Sequence, residues 1–396
     1  MRRVSGVVGV LAVVLVSVNL RPGASSVGPV LAEVRDGLGM SSGVAGVVTG
    51  LPGLCFGVAG ALAVPLARRV GTTAGIALGV LLATAGLVLR ATTGSTALFL
   101  ALTAGALAGM ALGNVLVPAW IKAHSSGSVL LQTLYGTGLI VGGTVGAGLT
   151  APVAGTDAGW RGALGMWGVV VGVALPLWAW LAFREGRIEP PRRGAGGAPG
   201  AITSSPTAVA MAALFGLQSM HAYIQFGWIP QIYRDAGLSA SAAGVLLGLL
   251  SGIGIVGALL MPTVIARSRT LSPWMVGFGV LMVLGYGGLL VAPATLPWLW
   301  ALLLGTSCWA FPTSIALLTA RTRTSAVTAR LSGFVQPVGY ALAALGPFLV
   351  GLLHDATGGW DLVLVLLALT AVPFTWAGLR AARPVWVDDE IAAGRV

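Results

Sequence analysis

The sequence predicts an all-α integral membrane protein whose twelve transmembrane helices form two pseudo-symmetric six-helix bundles. Three observations carry that expectation. The 396 residues are 56% hydrophobic and only 8% charged, whereas soluble domains hold about 25% charged residues. The apolar residues gather in runs of about 20 or more, the length a bilayer's hydrocarbon core requires. A block of sequence also recurs halfway along the chain.

Taken in order, the apolar runs fall at 7–34, 42–66, 72–90, 96–121, 128–152, 161–183, 206–231, 240–264, 273–292, 298–319, 328–353 and 361–380. Several exceed the minimum span, which allows tilt or kinks. The first run follows Met1-Arg2-Arg3 and imitates a secretory signal peptide, but the repeat described next requires it as a helix. The alternation of sides places 17 of the 22 lysines and arginines on one side and Arg35, Arg90, Arg161 and Arg234 on the other, with Arg21 inside a span. By the positive-inside rule the first side is cytoplasmic, with both termini, in a cell inner membrane.

The longest interruption, 184–205, carries Arg184, Arg187, Arg192 and Arg193 and a Gly/Pro-rich run, a composition that reads as a flexible linker. It divides the chain into a bundle over 1–183 and a second over 206–396. The halves repeat. Val34-Arg35-Asp36-Gly37-Leu38-Gly39-Met40-Ser41 returns as Tyr233-Arg234-Asp235-Ala236-Gly237-Leu238-Ser239, and Gly46 and Ala67-Arg68 match Gly244 and Ala266-Arg267. Six helices repeated in one orientation imply parallel repeats about an axis along the membrane normal, with a substrate site between them near the midplane.

The net charge of +11 does not point to nucleic acid, because the basic residues sit in short loops between spans. Cys55 and Cys308 lie in apolar runs, and His124, His221 and His354 are far apart. No disulfide framework, metal site or cofactor is expected. Gly252-Ile253-Gly254-Ile255-Val256-Gly257 matches a dinucleotide fingerprint letter for letter, but no strand precedes it and it lies inside an apolar run, where glycines serve helix packing. Motifs of membrane enzymes are absent from the sequence, so no catalytic activity is expected.

The first run holds the stretch of most consequence, Asn19-Leu20-Arg21-Pro22-Gly23-Ala24-Ser25-Ser26-Val27-Gly28-Pro29. Arg21 lies about 21 Å from Val7 along a helix, near mid-membrane, where a cation costs at least ~2.5–3.5 kcal/mol. Pro22, Gly28 and Pro29 break the backbone beside it. A cation next to broken backbone reads as a site for an anion or dipole. The alternative is that Arg21 caps carbonyls freed by the prolines.

Twelve helices in two halves with a long central loop resemble the major facilitator superfamily. Gly60-Ala61-Leu62-Ala63-Val64-Pro65-Leu66-Ala67-Arg68-Arg69-Val70-Gly71 is similar to that superfamily's signature between helices 2 and 3, with Ala67 where an acidic residue is usual. Asn19-Leu20-Arg21-Pro22 with Ser26-Val27-Gly28-Pro29, Pro118-Ala119-Trp120-Ile121-Lys122 and Ala310-Phe311-Pro312 resemble the cyanate and nitroimidazole transporter family within it. The resemblance implies a small anionic or polar solute.

Polar residues at mid-depth are the remaining candidates for solute binding. They are Asn19 beside Arg21, Asn114, Gln132 and Tyr135 in the first half, and Gln218, His221, Trp228, Trp309, Gln336 and Tyr340 in the second. Helix 7 also offers Tyr223 and Gln225. The repeat offset sets His221 opposite Arg21, as a ligand or proton carrier; Glu33 is the one carboxylate near enough to membrane depth to join it. Pro22, Gly28, Pro29 and Pro337 are expected bending points. The sequence thus reads as a monomeric carrier that moves a small anionic or polar solute by alternating access, with Arg21 as anchor and protons as possible partners. The competing reading is a proton-linked exporter of neutral or cationic drugs in which Arg21 is structural. The glycines of helix 5 resemble an antiporter signature but lack its Gly-Pro.

Overall fold

The computed structural model of the protein describes residues 6–125, 129–185 and 201–393. Arg2, Arg3, Arg187, Arg192, Arg193, Arg395 and most of the expected linker lie outside them. Among the described residues twelve helices are long and apolar enough to cross a membrane. They are α1 (Gly6–Leu38), α2 (Ser42–Val70), α3 (Thr72–Thr92), α4 (Thr96–His124), α5 (Leu130–Ala154), α6 (Gly159–Glu185), α7 (Pro206–Asp235), α8 (Ala240–Arg267), α9 (Ser272–Val291), α10 (Pro297–Ala320), α11 (Arg330–Thr357) and α12 (Asp361–Ala381). A short helix, α13 (Val387–Ala393), follows.

The recurring block has the same local physics twice. Gly39 and Gly237, at φ 63° and 95°, end α1 and α7 in a conformation that side chains resist. Ser41 and Ser239 then cap α2 and α8, accepting hydrogen bonds from the amides of Val44 and Ala242. Between α2 and α3 the signature stretch is helical through Val70, and Gly71 (φ 95°) alone makes the turn.

α1 is not one continuous helix. It runs Gly6–Asn19, Pro22–Ser25, a 3-10 turn at Gly28–Val30, and Leu31–Leu38. Pro22 and Pro29 bring no amide hydrogen to the ladder, so carbonyls one turn earlier lose their partners. α7, its counterpart in the repeat, stays helical from Pro206 to Asp235 despite Pro230.

The first six helices and the last six meet along two seams, α2 on α11 and α5 on α8. Both seams are made of backbone. A Cβ on Gly46 would lie 2.6 Å from the Pro347 carbonyl oxygen, and one on Gly50 the same distance from that of Ala344. On α8 a Cβ at Gly248 would meet the Cα of Gly148 at 3.2 Å. Such close approach is how helices associate in lipid, where apolar side chains gain nothing by leaving their surroundings. The seams lie toward the arginine-poor end of the helices. There α1 touches α7 at Gly28 and Phe226, the Glu33 carboxylate pairs with Arg234 at 2.8 Å, and the Gly43 amide donates to Asp355 at 2.9 Å.

At the opposite end, α13 is tied back to the bundle by its carboxylates: Asp389 pairs with Arg323 at 2.8 Å, Asp388 accepts from the Arg323 amide at 3.0 Å, and Glu390 is the most fully engaged. Glu390 accepts from the Ser205 hydroxyl (2.5 Å), the Thr207 amide (2.9 Å), the Thr207 hydroxyl (3.0 Å) and Arg380 (3.0 Å). Partial burial opposes its ionisation, but these donors together hold its pKa below the ordinary glutamate value. A depressed pKa gives stability that is present above the unfolded value, about 4.3, and is lost as the pH falls through the folded one. Glu390→Gln should therefore lower the melting temperature by a few degrees at pH 7, and thermal-shift measurements should show the gap to the parent closing below pH 4.

Candidate functional site

A cavity of about 700 Å³ lies between the two halves. Residues from α1, α5, α7, α8, α10 and α11 line it, from Arg21 at its closed end to Gln132, Leu259, Pro262 and Ile315 near the arginine-rich ends of their helices. Those four are exposed, so the cavity opens at that end. Beyond Arg21, a hollow of about 30 Å³ between α1, α2 and α7 has room for about one water. The Gly28 contact with Phe226 and the Gly227 contact with Thr49 form its floor.

Arg21 stands at the break in α1, between the helical pieces Gly6–Asn19 and Pro22–Ser25. It is half-buried. Its guanidinium carbon sits 5.4 Å from the Phe56 ring centroid on α2, a cation–π contact. The hydroxyls of Tyr135, Tyr223 and Tyr340 lie within its electrostatic reach. Among the described residues no carboxylate pairs with it. α5 comes close enough to leave this space because its glycines pack on the broken helix: Gly138 against Ser17, Gly142 against the Val18 carbonyl and Gly146 against Pro22. That packing accounts for three glycines of the run in α5, and Gly148 serves the seam with Gly248.

The freed backbone of α1 is served by a different arginine. Arg90, fully buried on α3, reaches the Gly23 carbonyl oxygen at 3.3 Å and the Ser26 hydroxyl at 3.4 Å. The sequence reading set Arg90 outside the membrane as a loop charge; α3 instead carries it against α1. With Arg90 in that role, Arg21 is left facing the cavity. Phe56 and Arg90 both escaped the sequence reading, since an isolated Phe and an Arg at the end of a span carry no distinguishing local signal.

Of the other candidates, Gln132, Gln218 and Tyr340 line the cavity, together with Tyr223, Gln225 and Pro312. The rest point elsewhere. Asn19 donates to the Leu15 carbonyl at 2.7 Å. Asn114 is engaged by the Tyr135 hydroxyl, which bonds its backbone carbonyl at 3.0 Å. Trp228 donates to the Pro347 carbonyl at 3.0 Å, in the seam between the halves, and Trp309 to that of Ile253 at 2.9 Å. The Trp309 ring covers Gly257 and Thr144 lies against Gly252, so these two fingerprint-like glycines of α8 are packing positions, while Gly254 lines the cavity. Gln336 bonds Ser332 within α11, which stays helical through Pro337. Pro22, Gly28 and Pro29 lie in the broken part of α1.

Two expectations need correction. Glu33 is not at the cavity; it forms the ion pair with Arg234 at the arginine-poor end. His221 does not face Arg21 either. It is fully buried on the far side of α7, between α9 and α12. Its ring belongs to a directed chain. Gln225 Nε2 donates to the Tyr286 hydroxyl at 3.2 Å, which leaves that hydroxyl to donate to His221 Nδ1 at 2.8 Å. His221 Nε2–H then donates to Thr370 at 2.8 Å, and Thr370 donates to the Leu367 carbonyl. Every hydrogen is used by a neutral ring. Replacing it leaves buried partners unsatisfied, at about 1–3 kcal/mol. His221→Leu should melt at a lower temperature by the same margin at pH 6 and pH 8. A margin that changes across that range would identify a titrating ring.

The sequence pattern of the Major Facilitator Superfamily matches residues 13–347. The chain is 31% identical over 393 residues to the 2-nitroimidazole transporter of Escherichia coli (strain K12), covering 97% of each. It is 29% identical over 386 residues to the cyanate transport protein CynX of the same organism, covering 96% of this chain and 99% of that one. Among solved structures, the inward-open xylose transporter XylE from E. coli superposes with a TM-score of 0.73 at 14% identity, covering 97% and 98%, a likeness of fold alone. The match across the chain and the two end-to-end relatives, taken with twelve spans around a central cavity, make this a multi-pass membrane transporter, and the chain belongs to the Major Facilitator Superfamily, in the branch that holds the 2-nitroimidazole and cyanate transporters.

Proposed function

We propose that the protein carries a small anionic or polar solute across the cell inner membrane by alternating access, with Arg21 as the anchor for the solute's negative or electron-rich end. The observation that carries this reading is a mid-membrane guanidinium at the closed end of an open cavity, with an aromatic ring beneath it and no carboxylate partner among the described residues. A cation kept in that setting is matched by an anion that arrives and leaves. The names of the two E. coli relatives support a solute of this class, since one moves cyanate and the other 2-nitroimidazole. Gln132 and Tyr340 supply further hydrogen bonds to the solute. The arginine-rich end faces the cytoplasm, so the cavity as described opens inward. The described lining residues hold no carboxylate, which favours facilitated movement or exchange, or a proton carried by the solute itself.

The test is a thermal-shift screen of purified protein beside Arg21→Gln, with cyanate, nitrate, bicarbonate, small carboxylates, 2-nitroimidazole and lipophilic cations. A specific ligand at about 100 times its dissociation constant adds ~2.7 kcal/mol of apparent stability. Protection of the parent by an anion or polar heterocycle, absent in the variant, is the expected result. Equal protection of both proteins by cations would remove Arg21 from the binding role.

A further inference from the structure

The cavity has a second pole. Gln218 is 1% exposed and lines the cavity, and neither amide atom has a hydrogen-bond partner among the described residues. A buried carboxamide left unpaired costs roughly 1–3 kcal/mol. Its polar neighbour, the Cys308 sulfur, offers it only a weak acceptor. The Cys308 thiol lies beside it but donates to Gln225 Oε1 at 3.1 Å, and Gln225 spends its own donor on Tyr286. Gln225 is therefore satisfied by the protein, and Gln218 is not.

Gln218 stands five residues before Tyr223 on α7. Tyr223 lies at the level of Arg21, since both border the small hollow behind it. Five residues of helix place Gln218 about 7.5 Å nearer the open end. Between the two poles the walls are mostly apolar, with Ala222, Ile255 and Phe311 among them, and the Thr144 and Ser219 hydroxyls, also buried without a partner among the described residues, add smaller polar points. A space of about 700 Å³ falls in the range that encloses organic molecules of tens of atoms, well beyond a triatomic ion.

We infer that the solute is an organic molecule with two polar ends: an anionic or nitro-like group for Arg21 and a hydrogen-bonding group, about 7 Å further along the cavity axis, for the Gln218 amide. This rests on Arg21 being the anchor. Gln218 is then the residue that separates such solutes from simple anions, since a site built to pair a polar group rejects an analogue that lacks it.

The test uses purified full-length protein and three probes, read by thermal shift and calorimetry. 4-Hydroxybenzoate carries both ends, benzoate has only the anion, and cyanate is an anion without a body. In the parent, 4-hydroxybenzoate should bind about tenfold tighter than benzoate, the return for one satisfied hydrogen bond, and cyanate should be the weakest. Gln218→Leu should reduce 4-hydroxybenzoate to the affinity of benzoate and leave benzoate unchanged, which also shows that the variant is folded. Arg21→Gln should lose both. If cyanate binds through Arg21 as tightly as 4-hydroxybenzoate, or Gln218→Leu weakens both benzoates equally or neither, the two-ended solute is overturned while the anchor stands. If Arg21→Gln binds all three as the parent does, the anchor itself falls, and this inference with it.

Discussion

A helix cannot be broken inside a membrane without something taking up the backbone groups it frees, because the hydrocarbon offers them no water. That constraint organises the first half of this molecule. Pro22 and Pro29 interrupt α1, and Arg90 crosses from α3 to serve the broken stretch, reaching the Gly23 carbonyl and the Ser26 hydroxyl. α5 must lie close to close the wound, so it presents Gly138, Gly142 and Gly146 where side chains would collide. With Arg90 serving the broken stretch, Arg21 is the charged element of the break that lines the open cavity.

The two halves then differ in the chemistry they offer the cavity. The first contributes a cation and the ring of Phe56. The second contributes the amides of Gln218 and Gln225 from an unbroken α7, beside the one amide, Gln132, that the first half brings from α5. Pseudo-symmetry of the fold thus coexists with asymmetry of the site, as a carrier of a polar molecule with unlike ends would need.

The spans, their order and the repeat were legible because they rest on run length, loop charge and turn chemistry, all local properties. Azimuth was not. Helices that are apolar all round carry little periodic signal to say which face turns inward. Hence Gln218 and Tyr340 were read alike with His221, Trp228 and Trp309, although the first two face the cavity and the others pack between helices of the second half. Arg90 was misread for the same reason, since only the packing of α3 against the broken helix makes its position interior.

The glycine seams have a kinetic consequence. Where α2 meets α11 and α5 meets α8, the surfaces in contact are largely peptide backbone, from Gly46 and Gly50 to Gly148 and Gly248. Interlocked side chains must change rotamer to disengage, and each change adds to a barrier. Smooth backbone faces have no such teeth. They can part and re-form as rigid surfaces, so the pace of opening would be governed by the few polar clasps at one rim, the Glu33–Arg234 pair and the Asp355 contact with Gly43, more than by the long apolar faces behind them.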